Sequence, residues 1–342
     1  MNLEIPTAPL SDIDLRTRYL GLDLASPFII GASPLADSSE RIRRMEEAGA
    51  GALTLHSLFE EQIEMERQAT LHHTTAHDDI YGEALSYFPR YEDFNLEPDE
   101  YLEKIAFTKR LTRLPVIASL NGVTPGGWVR YARKIEDAGA DALELNFYHI
   151  ATNPTESGSE VEARLLEVVM SVRSTVRLPL AVKLSPFYSA LPHLVAKIQA
   201  TGANGVILFN RFYQPDIDIE QQETVSKLIL SDSSELPMRL RWIAALHGHV
   251  SLDLILSGGV HTVPDAVKGL MAGATGIQLV SSILKTGIDH LKTLNTGLRQ
   301  WMFQNEFSSI QKLRGCMSME RCPDPEVFER ANYMRILQGW RI

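Results

Sequence analysis

The sequence has only two cysteines, Cys316 and Cys322, in 342 residues. Two thiols are too few for an iron–sulfur cluster or a structural zinc site, so both are read as reduced and structurally ordinary. Any redox chemistry then has to use a bound organic cofactor, and no metal is expected. Positive charge is also in deficit, with 33 lysines and arginines against 43 aspartates and glutamates, a net charge of −10. Such a surface repels a polyanion, because nucleic-acid affinity comes largely from cations placed on phosphates. No apolar run reaches the ~20 residues of a membrane helix. Residues 1–15 are acidic and broken by prolines, and they lack the basic start and apolar centre of a signal peptide. The expected setting is cytoplasmic, with no nucleic-acid and no membrane partner. Nor does any Pro/Gly/Ser-rich linker or low-complexity block divide the chain, so residues 1–342 read as a single domain. An apolar share of 44% with 22% charged residues allows that domain a sizeable core.

What is present, and recurs, is a short phrase. Ala48-Gly49-Ala50, Ala138-Gly139-Ala140, Thr201-Gly202-Ala203 and Ala272-Gly273-Ala274 each end an amphipathic stretch and precede an apolar run. Glycine suits the left-handed residue that closes a helix, and the apolar run that follows is the next strand. Short apolar runs lie at 27–31, 52–55, 116–120, 142–146, 180–184, 206–209, 254–256 and 277–280. They lack polar alternation, as strands buried on both faces do. Helical patterns lie between them: Val161, Leu165, Val168 and Val172 share one face, as do Ile288, Leu291, Leu298 and Trp301. Thr124-Pro125 supplies a cap followed by proline at the first helical position. An open doubly wound sheet shares this alternation, but the count of eight and the lack of G-x-G-x-x-G after the first strand favour closure. The expected fold is a (β/α)8 TIM barrel with an N-terminal hairpin at 19–24 that could plug the barrel bottom.

Two connections are too long for plain turns: residues 57–97 after strand two and 211–237 after strand six. Both leave C-terminal strand ends, where barrels build their sites. The first holds His72, His73, His77, Tyr81, Tyr87, Phe88 and Tyr91. That mixture suits either a cover over a planar ring or an interface loop in a homodimer.

The ends of the last two strands read Ser257-Gly258-Gly259-Val260 and Val280-Ser281-Ser282. Glycines let backbone N–H groups approach an anion and serines add hydroxyl donors, at the place where barrels commonly bind phosphate. Lys183 ends a buried apolar strand, where a lysine either pairs with an inward carboxylate such as Glu144 or faces an anionic ligand. Asn121, Asn146 and Asn210 close strands three, four and six, and Ala32-Ser33 follows strand one. Asparagine offers donors and an acceptor to the edge of a heterocycle. A ligand with a phosphate at one end and a polar planar ring at the other has the shape of FMN.

These residues also carry a resemblance to the dihydroorotate dehydrogenase family of FMN enzymes, over nearly the whole chain. Ser26-Pro27-Phe28-Ile29-Ile30-Gly31-Ala32-Ser33 is similar to that family's first-strand motif, and Ala181-Val182-Lys183-Leu184-Ser185-Pro186 to its flavin-lysine strand. Residues 256–287 resemble its phosphate-binding end, with Gln278, Ser281 and Gly287 in register and Val280 in place of a glycine. The resemblance implies that Ala32, Ser33, Ser57, Asn121, Asn146, Lys183, Asn210, Gly258, Gly259, Ser281 and Ser282 contact FMN. It also implies an FMN-dependent oxidoreductase acting on CH–CH groups, in pyrimidine biosynthesis, with a small-molecule substrate.

The substrate half departs from the pattern. Where the family has lysine then serine at the end of strand two, close to flavin and pyrimidine, this chain has His56-Ser57. The family's Gly-Leu-Pro-Asn loop has no counterpart around 84–90. After strand four the family places a cysteine or serine base; here the segment runs Asn146-Phe147-Tyr148-His149-Ile150-Ala151-Thr152-Asn153-Pro154. An ungapped placement puts His149 at the base, with His56 and Asn153 toward substrate and Lys183 at the flavin. In the family mechanism the base takes a C5 proton from dihydroorotate while N5 of FMN accepts the C6 hydride, and imidazole can take such a proton near neutrality. The alternative is an FMN-binding barrel without dihydroorotate turnover, serving electron transfer or assembly.

Overall fold

A strand that is apolar on both sides must be covered on both sides, and a closed barrel ringed by helices does this without leaving an edge. In the computed structural model, which describes residues 12–63, 98–122, 124–212, 214–328 and 331–339, that is the arrangement. The barrel strands are β3 (Phe28–Ile30), β4 (Ala52–Phe59), β5 (Val116–Gly122), β6 (Ala142–Phe147), β7 (Leu180–Leu184), β8 (Gly205–Leu208), β11 (Asp253–Ser257) and β12 (Gly276–Leu279). They pair in parallel in that order, and β12 returns to β3 to close the ring. A (β/α)8 barrel with an N-terminal hairpin is therefore the fold.

Around it, starting from the N-terminal side, lie α1 (Ser39–Glu47), α2 (Pro98–Leu111), α3 (Pro125–Asp137), α4 (Gly158–Thr175), α5 (Leu191–Ala200), α6 (Leu236–Leu246), α7 (Val263–Ala272), α8 (Ser281–Thr286) and α9 (His290–Gln304). The recurring Ala-Gly-Ala phrase does what its composition suggests. Gly49, Gly139, Gly202 and Gly273 all have positive φ (86°, 90°, 89° and 125°) immediately after a helix. Helix starts are capped where the sequence offers a hydroxyl. Ser157 with Glu160 and Thr262 with Asp265 form reciprocal capping boxes. Thr124 occupies the cap position before Pro125 but makes no side-chain cap bond, and its own N–H goes to Glu60 Oε2 at 3.1 Å.

The strand boundaries expected from the apolar runs agree to within two residues, except on β4, which continues through His56 and Ser57 to Phe59. Its pairing with β5 slips between Thr54 and Ser57: three residues of β4 match two of β5. This is a bulge, a device that re-aims side chains near functional sites. The 211–237 connection is also not a plain loop, since it contains an antiparallel hairpin of β9 (Gln214–Asp218) and β10 (Glu223–Lys227). The histidines and tyrosines expected to cover the site, His72 to Tyr91, lie outside the described residues.

Two hydrophobic clusters follow from strand alternation. Outward residues such as Leu143, Leu145, Leu180 and Val182 pack with the helices. Inward residues Ile29, Ala52, Ile117, Ala142, Ala181, Ile207 and Ile255 form a separate cluster with Tyr19, Leu20 and Leu24 of the β1 (Thr17–Tyr19) and β2 (Leu22–Leu24) hairpin. The three alanines leave the room that the hairpin fills, so it does plug the barrel. Asp253 Oδ2 accepts from the N–H of Leu20 at 2.7 Å and holds the hairpin tip in place. Burial, reinforced by the charges of Glu144 and Asp253, pushes the Tyr19 phenol well above its usual range, so it stays protonated.

Leu24 is 1% exposed in this plug. Leu24→Ala is expected to cost about 2–5 kcal/mol through lost burial and a residual cavity, measured as a lowered denaturant midpoint with an unchanged slope.

Candidate functional site

One step above the apolar plug the inward positions become polar: Ser119 on β5, Glu144 on β6, Lys183 on β7, Ser257 on β11 and Gln278 on β12. Glu144 is 1% exposed, and so deeply buried a carboxylate has to be paired and hydrogen-bonded. Lys183 Nζ donates to Glu144 Oε1 at 3.1 Å and to Gln278 Oε1 at 2.9 Å. Gln278 Nε2 donates to Glu144 Oε2 at 2.7 Å, and Ser257 Oγ donates to Gln278 Oε1 at 3.2 Å. An ammonium carries three protons; two are used, and the Lys183 head also lines a cavity of about 600 Å³ above the network. That volume is ordinary for a site holding one organic ligand.

Above this floor Asn210 Nδ2 donates to Asn146 Oδ1 at 2.6 Å, so the Asn146 amide N–H groups and the Asn210 carbonyl remain for a ligand. Asn121, Ala32 and Ser33 line the same cavity, as do His56 and Ser57. The bulge in β4 explains how two consecutive residues both reach it. Ser57 Oγ shares a proton with Ser119 Oγ at 2.8 Å.

Across the ring from Asn121 and Asn146 lie Gly258, Val280 and Ser281, at the ends of β11 and β12, with the Ala32–Ser33 segment after β3 beside them. Gly258 and Gly259 have φ of 86° and 80°, which L side chains rarely adopt. The Ser281 hydroxyl accepts from the backbone N–H of Ser231 at 3.2 Å, which leaves its own proton to give away. Gly259 and Ser282 stand just behind this wall rather than on it, and Ser282 Oγ is buried without a partner among the described residues. Two arginines strengthen the end. Arg239, 3% exposed, donates from Nε to the Ser257 carbonyl at 2.5 Å and pairs through Nη2 with Glu235 at 3.3 Å. Arg211 pairs with the same glutamate. Two guanidiniums on one carboxylate leave a net positive charge beside Gly258. Lys285 lies on the same side, its Nζ held by the Ser231 carbonyl at 2.9 Å, with the Asp232 carboxylate near enough to act on it.

The family profile for dihydroorotate dehydrogenase matches residues 84–302. The chain belongs to the dihydroorotate dehydrogenase family. Three relatives frame it. "Putative dihydroorotate dehydrogenase A (fumarate)" of Aeropyrum pernix is 31% identical over 221 residues, 63% of this chain and 72% of the relative. The catalytic subunit of dihydroorotate dehydrogenase B (NAD(+)) of Thermoplasma volcanium is 26% identical over 307 residues, covering 88% and 98%. The NAD-dependent dihydropyrimidine dehydrogenase subunit PreA of Escherichia coli is 25% identical over 324 residues, covering 88% and 76%. The chain is thus an oxidoreductase of a dehydrogenase family whose members generally bind flavin.

Set against the dihydroorotate dehydrogenase pattern, the sequence-derived residues divide into two groups. Most of those assigned to the cofactor converge on the cavity. His149 and Asn153 do not line it. His149 Nε2 lies 3.2 Å from Glu156 Oε2, which also pairs with Arg164, and Asn153 Oδ1 accepts from Thr155 within its own turn. The loop residue that does face the cavity is Tyr148, stacked on Phe212 at 4.3 Å and 12°. Sequence reasoning also passed over Arg239, Arg211 and Ser231, whose importance arises from contacts across the fold. For Asp37 a signal existed, since it lies four residues past Ser33 in the same strand-end segment.

Because Lys183 compensates Glu144, Lys183→Met strands a buried carboxylate and is expected to cost about 3–5 kcal/mol. Adding Glu144→Gln should return most of that loss. Denaturant unfolding of the two single variants, the double variant and the parent measures the coupling.

Proposed function

We propose that this chain is an FMN-dependent oxidoreductase that moves a hydride between a dihydropyrimidine-like substrate and the flavin N5. The observation that carries the reading is the two-ended polarity of one cavity. One end has left-handed glycines, a serine hydroxyl with a free proton and a surplus of positive charge, which is the donor set a phosphate monoester needs. The other has asparagine amides and the remaining proton of Lys183, which suit the alternating donors and acceptors of a pyrimidine-type ring edge.

In this reading Gly258 and Ser281 hold the phosphate, and Gly259 and Ser282 support them from behind the cavity wall. Ala32 would allow close approach, and Ser33, Ser57, Asn121, Asn146, Asn210 and Lys183 would hold the ring. Bound FMN supplies the two-electron acceptor. The positive charge of Lys183 stabilises negative charge that builds up on the ring, while Glu144 and Gln278 fix the direction of its ammonium. Tyr148 and Phe212 exclude water from one side. His149 takes the substrate proton once it leaves Glu156, one residue along from Tyr148. The tie to Glu156 supports the second reading, a barrel that keeps FMN without turning over dihydroorotate.

Purified protein is expected to be yellow, with flavin released on denaturation. Anaerobic addition of dihydroorotate or dihydrouracil should bleach the flavin band. His149→Ala should keep the flavin but reduce at least a hundredfold more slowly, the usual scale of general-base catalysis. An unchanged reduction rate would assign His149 to its pair with Glu156 instead.

A further inference from the structure

One cluster at the cavity wall has no part in holding a phosphate or a flavin ring. His56 on β4 lines the cavity. Its Nδ1 lies 3.0 Å from Asp37 Oδ1, and Lys104 of α2 pairs with the same oxygen. A carboxylate oxygen only accepts, so the proton between His56 and Asp37 belongs to Nδ1. With Asp37 ionised Nδ1 is the donor, and Lys104 Nζ, 3.4 Å from it, is brought there by the carboxylate oxygen that both groups share. The Tyr101 ring packs edge-on against the imidazole with centroids 5.7 Å apart, and its hydroxyl is bound to the Ser119 backbone. Among the described residues Nε2 of His56 makes no hydrogen bond, so a neutral ring offers a lone pair there.

The charge state follows from the surroundings. Burial disfavours the imidazolium, and the Lys104 ammonium repels it. Asp37 opposes both, and the net effect holds His56 below the ordinary histidine range. Lys104 and Asp37 cancel each other. This edge of the cavity therefore carries no net charge and presents an acceptor, at the position where the family pattern has a lysine.

We propose that His56, positioned by Asp37 and Lys104, selects an uncharged substrate that offers a ring N–H at this edge, and discriminates against one that carries a carboxylate there. The proposal rests on the flavin oxidoreductase reading above and narrows its substrate class to neutral dihydropyrimidines. A lactam N–H satisfies the Nε2 lone pair. A carboxylate would set two oxygens against that lone pair and against Asp37, with no unpaired cation beside them, and leaving polar groups mismatched in a dry site is what makes such discrimination large.

Two measurements test it. Nitrogen-15 spectra of the protein, with His56→Gln to assign the resonance, should show His56 as the Nδ1–H tautomer titrating below free histidine. Lys104→Met should raise that midpoint. An Nε2–H tautomer, or an imidazolium persisting at pH 7.5, would overturn the proposal without reference to flavin. Calorimetry with uracil and orotate, which differ by one carboxylate, should give at least tenfold tighter binding of uracil to the FMN-loaded protein. His56→Gln, which keeps a neutral acceptor, should retain that preference, whereas His56→Lys should shift it at least tenfold toward orotate. Equal or tighter binding of orotate by the parent protein, binding of neither ligand, or an unmoved preference in His56→Lys would refute the selection. Failure to take up FMN at all would instead refute the oxidoreductase reading, with the tautomer still deciding the state of His56.

Discussion

A carboxylate that is almost entirely removed from water, at the centre of a barrel, has to find every one of its partners inside the barrel. For Glu144 those partners are Lys183 on the next strand and Gln278 on the last one, and Ser257 of β11 in turn donates to Gln278. The network thereby fixes β6, β7, β11 and β12 in relative height. A slip of one residue on any of them would turn a polar inward group outward into the helical layer and an apolar one inward. The same constraint gives the site its cation. Glu144 and Gln278 direct the Lys183 ammonium, and its remaining proton is what the cavity above receives. Below it, the alanines of the inner layer and the inserted Tyr19–Leu24 hairpin remove the space through which water could reach the pair. The plug and the ion pair are mutually dependent. A wet barrel bottom would weaken the pair, and an unpaired charge above would make a dry plug costly.

Much of this architecture was legible from local chemistry. Strands buried on both faces are continuous apolar runs, and helix ends are marked by glycine, so seven of the eight barrel strands lay where the runs placed them. The eighth, β4, ran on because polar residues entered it at His56 and Ser57, exactly where alternation ceases to be a guide and a bulge intervenes. Lys183 and Glu144 could be paired on paper because each is a charge in an apolar strand. The β9–β10 hairpin was missed for the opposite reason, since β9 has no buried face and its short Asp-Ile alternation lies outside the apolar runs that mark barrel strands. Arg239, Arg211 and Ser231 were beyond reach because each acts through a backbone or side chain far along the chain. His149 occupied a plausible place by sequence register, but its loop turns the ring toward Glu156, a contact that the six intervening residues do not announce.

The cavity's two ends are built from different parts of the chain, which explains why they can diverge separately. The anion end comes from the 211–237 connection, β11 and the start of α8. The His56 edge comes from the segment after β3, the bulged end of β4 and a lysine from α2. In the ring β3 separates β12 from β4, and the Asp37, His56 and Lys104 contacts do not involve Arg211, Glu235, Arg239 or Ser281. Substitutions in groups without shared partners act additively on stability and binding. A change from a cationic to a neutral edge at His56 therefore leaves the Gly258 and Ser281 end as it was. Barrels gather site residues from the ends of separate strands, and here that separation means that residues at one end of the cavity can change without a matching change at the other. The charge pattern makes the same distinction physically. Surplus positive charge beside Gly258 draws the anionic part of a ligand to one side, while the paired Asp37 and Lys104 leave the other side to be read by hydrogen-bond direction alone.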